Sequence, residues 1–157
     1  MSIVSLAELK KALAPGSRLL GLDLGEKTIG LALSDTTLAV ATPMKTLKRG
    51  KFSVNAEELE NIVAEDGVGG LVVGLPLNMD GTSGPSAQKA RAFARNFANR
   101  SSLPIAMIDE RLSTAAVTHT LIEADASRKR RGEVVDKMAA AYILQGALDR
   151  MRAAVNV

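Results

Sequence analysis

Apolar residues recur at helical spacing at Leu6, Leu9 and Leu13 and the run stops at Pro15-Gly16, so Val4 to Leu13 reads as a short N-terminal helix. Alternation then replaces that spacing. Arg18 to Leu24 and Thr28 to Ser34, the latter with Ile29, Leu31 and Leu33 on one face, predict two strands joined as a hairpin by Gly25-Glu26-Lys27. Leu38 to Leu47 predicts a third strand, which Pro43 assigns to a sheet edge or a bulge. Ser53 to Glu65 turns helical, with Ser53 as N-cap and Gly67 beyond its end. Gly70 to Gly74 is a short, wholly apolar strand of the type buried on both faces. A polar, glycine-rich loop from Pro76 to Pro85 leads into a helix from Ser86 to Arg100. Pro104 to Asp109 forms a fifth strand, Ser113 or Thr114 caps a helix to about Glu123, and Glu133 to Arg152 makes a long Ala-rich helix.

Three strands in a row, then strands alternating with helices, predict an α/β fold with one mixed five-stranded sheet flanked by helices. The length of 157 residues suits a single domain. Residues 1–16 are expected to form a helical prefix and residues 17–152 the functional domain, with neither repeat nor linker. Aromatics make up 3% of the chain, so Val, Leu, Ile, Ala and Met must build the core, and a base-stacking platform for single strands is disfavoured. With no Cys and the lone His119, disulfides, thiolate sites and imidazole zinc sites are excluded, and any metal must be held by oxygen. No apolar stretch approaches the roughly 18 residues of a membrane span, and Glu8, Lys10 and Lys11 interrupt the N-terminal run where a signal peptide needs an apolar core. A cytoplasmic location is expected.

The net charge of +3 is modest, but its distribution is informative. Arg128-Lys129-Arg130-Arg131 are consecutive, and Lys45, Lys48, Arg49 and Lys51 form a looser second group. Either cluster alone reads equally as a solvated surface. The acids change the picture. Asp23 lies within an apolar strand and shares a face with Gly21 and Gly25, opposite Leu20, Leu22 and Leu24. A carboxylate there needs a cation or a hydrogen-bond network, because burying it unpartnered is very costly. Glu110 follows the apolar Ala106-Met107-Ile108 strand, at the carboxyl end where open α/β sheets carry ligands. Asp136 sits among small and apolar residues of the last helix. In the expected topology all three can meet, and an all-oxygen site of this kind suits a hard cation such as Mg²⁺. Competing readings are a surface pairing of Glu110 with Arg111 and a helix-surface pairing of Asp136. Asp35 and Asp109 read as structural acids, and Glu133 as a first-turn acid favouring the helix dipole. Among polar and basic residues, Asn78 in the glycine-rich loop and Arg128 to Arg131, five to eight residues before Asp136, are candidates for phosphate contacts. Lys27, Arg111 and Lys137 join them, although Lys137 can equally face solvent.

Gly21-Leu22-Asp23-Leu24-Gly25 with Ile29 to Asp35, then Val72 to Gly81, then Asp109-Glu110-Arg111-Leu112-Ser113-Thr114, then Val135-Asp136-Lys137-Met138-Ala139-Ala140 resemble the YqgF/RuvX family. These blocks run in order from about Arg18 to Arg150. The resemblance implies the ribonuclease H-like fold, which the element order also matches, similar to the RuvC Holliday junction resolvases. It implies a metal-dependent nuclease that matures the 5′ end of precursor 16S ribosomal RNA during ribosome biogenesis. On that basis Asp23, Glu110 and Asp136 match the family's catalytic acids. Asp23 is the candidate bridge between two Mg²⁺ or Mn²⁺ ions, and cleavage leaves a 5′-phosphate and a 3′-hydroxyl. The related resolvases use four acids and only three are placed here. Structured RNA is the favoured partner, pre-ribosomal particles a further one, and a four-way DNA junction the alternative substrate; the chain is expected to be a monomer or a homodimer. A noncatalytic ribosome-assembly factor is the reading of another class. The Asp23 hairpin also resembles the phosphate hairpin of actin-like ATPases, but the single copy and missing nucleotide domain count against that.

Overall fold

The computed structural model describes the backbone at residues 3–112 and 128–155, and the side chains at residues 3–111 and 137–153. Among the described residues six strands form one sheet: β1 (Ile3–Val4), β2 (Arg18–Leu24), β3 (Thr28–Ser34), β4 (Ala41–Lys48), β5 (Val68–Leu75) and β6 (Ile105–Asp109). Four α-helices accompany them: α1 (Leu6–Ala12), α2 (Phe52–Asp66), α3 (Pro85–Arg100) and α4 (Arg128–Val155). The spatial order is β1-β6-β5-β2-β3-β4. β1, β6, β5 and β2 are parallel, while β3 runs antiparallel to both β2 and β4. The carboxyl ends of β2, β5 and β6 therefore share one edge of the sheet, and the β2–β3 hairpin turns there.

Strand alternation sorts the side chains into two cores. Leu20, Leu22, Ile29, Leu31, Leu71, Val73 and Ile105 pack under α2 and α3 with Leu59, Phe93 and Phe97. On the opposite face Leu19, Ala32, Val72, Ala106 and Ile108 pack under α4 with Ala139, Ala140, Ile143 and Leu144. No helix among the described residues is long and apolar enough to cross a membrane.

The five expected strands all form, and the N-terminal segment adds a sixth: Ile3 and Val4 pair with Ile105 and Ala106. Two residues are too short to show a period, so only the open edge of β6 makes them a strand. The Ser5 capping box with Glu8 then starts α1. β4 is both an edge strand and bulged, its register shifting where Pro43 pairs with Ala32. The N-cap of α2 is Lys51 rather than Ser53, without a side-chain bond of its own. Asn55 shapes that entry instead, accepting from the Gly50 amide at 3.0 Å and donating to the Lys48 carbonyl at 3.0 Å. Gly67 ends α2 as expected, at φ 65°. Where the described residues resume, at Arg128, the backbone is already helical, before the expected start at Glu133, so the four consecutive cations lie in the helix. The helix expected from Ser113 or Thr114 to Glu123, with His119, lies outside the described residues.

Candidate active site

Asp23 is 6% exposed, and among the described residues it is the one buried ionisable side chain. The two other buried polar residues are accounted for locally. Ser34 accepts from the Leu19 amide and donates to the Asp35 carbonyl, and Asn55 fixes the loop before α2. Because Leu22 belongs to the core under α2 and α3, alternation puts Asp23 on the α4 face, one residue beyond the Leu22–Val73 register pair and level with Gly74 of β5.

Gly74 pairs in turn with Ile108 of β6, and Glu110 follows at the start of a 3-10 turn, Glu110–Leu112. A Cβ placed on Gly74 would lie 2.9 Å from Glu110 Oε1 and 3.2 Å from its Cγ. The Glu110 carboxylate thus occupies the space that any other residue on the middle strand would fill with its own side chain. Across β6, β5 and β2 the α4 face presents, in order, a carboxylate, a residue with no side chain, and a buried carboxylate. The room left by glycine at position 74 is taken by Glu110 and by Ile143, whose Cδ1 lies 2.6 Å from the same Cβ position.

α4 descends from this edge. Gln145 bonds Ala41 and Ala39, and Arg152 bonds Ala39, at the opposite end of β3 and β4. Higher on the helix, the Ala140 carbonyl comes within 3.0 Å of a Cβ position on Gly21. Asp136 is four residues before Ala140, about 6 Å further along the helix toward the carboxyl edge. Its side chain, like those of Arg128 to Arg131, lies outside the described residues. No group of three His, Cys, Asp or Glu able to hold a metal occurs among the described residues. What they supply is the pair Asp23 and Glu110.

Asp109 and Arg111 form a separate arrangement beside that pair. Arg111 grips the Asp109 carboxylate through Nε and Nη2 and reaches the Met79 carbonyl with Nη1 at 3.3 Å. The guanidinium holds the Asp109 carboxyl below its ordinary range. Arg111 therefore ties the glycine-rich loop to the end of β6, and its partner is Asp109, not Glu110. Within that loop Asn78 donates to Thr82 Oγ1 at 2.9 Å, and the Gly81 amide closes a turn on the Asn78 carbonyl with Gly81 at φ 89°. Thr82 binds Asp80 and keeps its carboxyl low. Lys27 is exposed on the β2–β3 hairpin, and Lys137 is half-buried on α4. Asp35, read as structural, is that: it accepts from the Thr37 hydroxyl and the Ala39 and Val40 amides at the β3–β4 turn, which lowers its pKa strongly.

Two carboxylates on one face, flanking a residue without a side chain, are an oxygen donor set that fits a hard divalent cation. A family model described as RuvX, Holliday junction resolvase, matches residues 17–150. A protein of Paramagnetospirillum magneticum named "Putative pre-16S rRNA nuclease" is 62% identical over 149 residues, covering 95% of this chain and 96% of that one. A protein of the same name from Roseobacter denitrificans is 57% identical over 154 residues, covering 97% and 94%. Among solved structures, T. thermophilus RuvC in complex with a Holliday junction substrate superposes with a TM-score of 0.53 at 13% identity, covering 87% of this chain and 96% of that one. That likeness shows the fold.

Proposed function

The chain belongs to the RuvX family of resolvase-like nucleases, and from that premise we propose that it is a metal-dependent endonuclease cutting precursor 16S ribosomal RNA. The observation that carries this reading is the placement of Asp23 and Glu110 on one face at adjoining carboxyl ends of the sheet, with Gly74 between them. Relatives more than half identical over nearly the whole chain bear the pre-16S rRNA name, which favours RNA over a four-way DNA junction.

In this reading Asp23 and Glu110 hold Mg²⁺ or Mn²⁺, with Asp136 as the third acid. The bound cation supplies Lewis-acid activation of water and neutralises charge at the phosphate. Asp23, rooted in a β-strand, contributes a rigid oxygen donor, because a buried strand residue has little freedom to follow the substrate. Glu110 reaches back over Gly74 from the start of the 3-10 turn. Lys27, Asn78, Arg111, Lys137 and the Arg128–Arg131 cations are the phosphate contacts in this reading, with Arg111 also holding the glycine-rich loop to the end of β6. The products are a 5′-phosphate and a 3′-hydroxyl, and the setting is the cytoplasm, on pre-ribosomal particles.

The test compares wild type with Asp23→Asn on precursor 16S RNA and on a four-way junction, in Mg²⁺, Mn²⁺ or chelator. Cleavage of the RNA that needs metal and disappears in the variant is expected. Equal cutting by both proteins would refute the assignment of Asp23, and binding without cleavage by wild type under every condition would favour an assembly factor. Junction cutting in preference to RNA would transfer the activity to DNA.

A further inference from the structure

A second feature lies at the same edge of the sheet, on the side of α2 and α3. Arg49, Phe52, Asn55, Lys89, Phe93 and Asn96 line a pocket of about 220 Å³ between the first turns of α2 and the first half of α3. Its walls are fixed. Asn55, 1% exposed, uses its side-chain oxygen on Gly50 and its amide on Lys48 and Glu58, which locks the loop before α2. Phe52 and Phe93 meet edge to face with centroids 5.3 Å apart.

The pocket is tied to the catalytic hairpin. The Arg49 amide donates to the Lys27 carbonyl at 2.9 Å, and the Arg49 guanidinium donates to the Gly25 carbonyl at 2.6 Å. Gly25 is two residues past Asp23, roughly 7 Å at the rise of an extended chain. Neither Arg49 nor Lys89 forms an ion pair among the described residues; the one guanidinium bond of Arg49 goes to a neutral carbonyl, and Glu58 is engaged by Asn55. Two cations, without a carboxylate partner among the described residues, face one small preformed pocket open to solvent.

We propose that this pocket holds a backbone phosphate of the substrate strand, between Arg49 and Lys89, a short distance along the strand from the bond that is cut. The proposal rests on the nuclease reading above. It gives the enzyme a second grip that carries no base identity and fixes the strand's path across the β2–β3 hairpin.

The test measures binding of a fluorescent single-stranded RNA from the precursor 16S flank in chelator, so that no cleavage intervenes, across a series of salt concentrations. Lys89→Gln is expected to weaken binding several-fold and to reduce the slope of log affinity against log salt by about 0.7, the share of one single-strand phosphate contact. Lys89→Arg restores both. Lys11→Gln, a matched charge loss on α1, leaves both unchanged. Lys89 is exposed on α3, so thermal melting of the variants should match wild type. Equal affinity and slope for Lys89→Gln and wild type, or equal losses in the Lys89 and Lys11 variants, would overturn the pocket. The Asp23→Asn cleavage assay separates the two claims: if it loses cutting while Lys89→Gln binds normally, the pocket alone fails, and if it still cuts, the nuclease assignment fails first.

Discussion

The two faces of the sheet are made of different material. Under α2 and α3 the strands present Leu20, Leu22, Ile29, Leu31, Leu71 and Val73 against Leu59, Phe93 and Phe97, a core of large side chains. Under α4 the strands mix small residues, Gly21, Ala32, Gly74 and Ala106, with Leu19, Val72 and Ile108 against Ala139, Ala140, Ile143 and Leu144, and this is the face that carries Asp23 and Glu110. Small residues let α4 come close: a Cβ on Gly21 would lie 2.8 Å from Leu144 Cβ. They also leave room for carboxylates among the backbone. Both faces bury a core, but the α4 face adds a strip of small strand residues beside the two candidate acids, so the parity of a residue decides whether it packs only against apolar neighbours or beside a carboxylate.

The largest effect should come from the bulky face. Phe97→Ala, at a fully buried position, is expected to cost about 3–5 kcal/mol in urea unfolding, the range for truncating a buried Phe, while folded protein keeps its cleavage rate. Gly74→Ala should behave in the opposite way. The atoms its Cβ meets, Ile143 Cδ1 and Glu110 Oε1, are ends of flexible side chains and can yield, so the stability cost stays near ~1 kcal/mol, at the low end for an added methyl. The displaced Glu110 carboxylate should lower single-turnover cleavage about 100-fold, the scale for a misplaced catalytic group. A Gly74→Ala protein that unfolds readily yet cuts normally would erase the division between the faces.

A third variant sharpens the contrast between acids. Asp35 is held well below the usual carboxylate range by the Thr37 hydroxyl and the Val40 and Ala39 amides. Its folded pKa lies below its unfolded value of 3.8, so its stabilisation is present above that pH and drains away as pH falls below it. Asp35→Asn should therefore lower stability slightly at neutral pH and flatten the acid side of the stability profile, without changing metal-dependent cleavage. Melting temperatures across the acid range check this; a loss of cleavage would move Asp35 from the turn into the site.

Much of this was legible in the residues themselves. Period-two alternation marked β2, β3 and their hairpin, because a strand with one packed face writes its structure into neighbouring positions. Asp23 stood out because a carboxylate flanked by leucines in a strand is a costly anomaly wherever the chain goes. Glu110 was marked by its place after an apolar strand. Other features have no local signature. Ile3 and Val4 become a strand only because β6 offers them an open edge, and Arg111 turns to Asp109 rather than Glu110 because the 3-10 turn aims it so.

The sequence by itself determined the alternating strands, the restriction of any metal site to oxygen donors, and the places of Asp23 within an apolar strand and of Glu110 just after one, since each follows from residues close in the chain or from the residue types available. Only the tertiary structure decided that Gly74 sits between those acids, and that Arg49 and Lys89 face one pocket across α2 and α3. Strand order and helix approach set such neighbours, and residues distant in sequence meet only through the packing of the whole sheet.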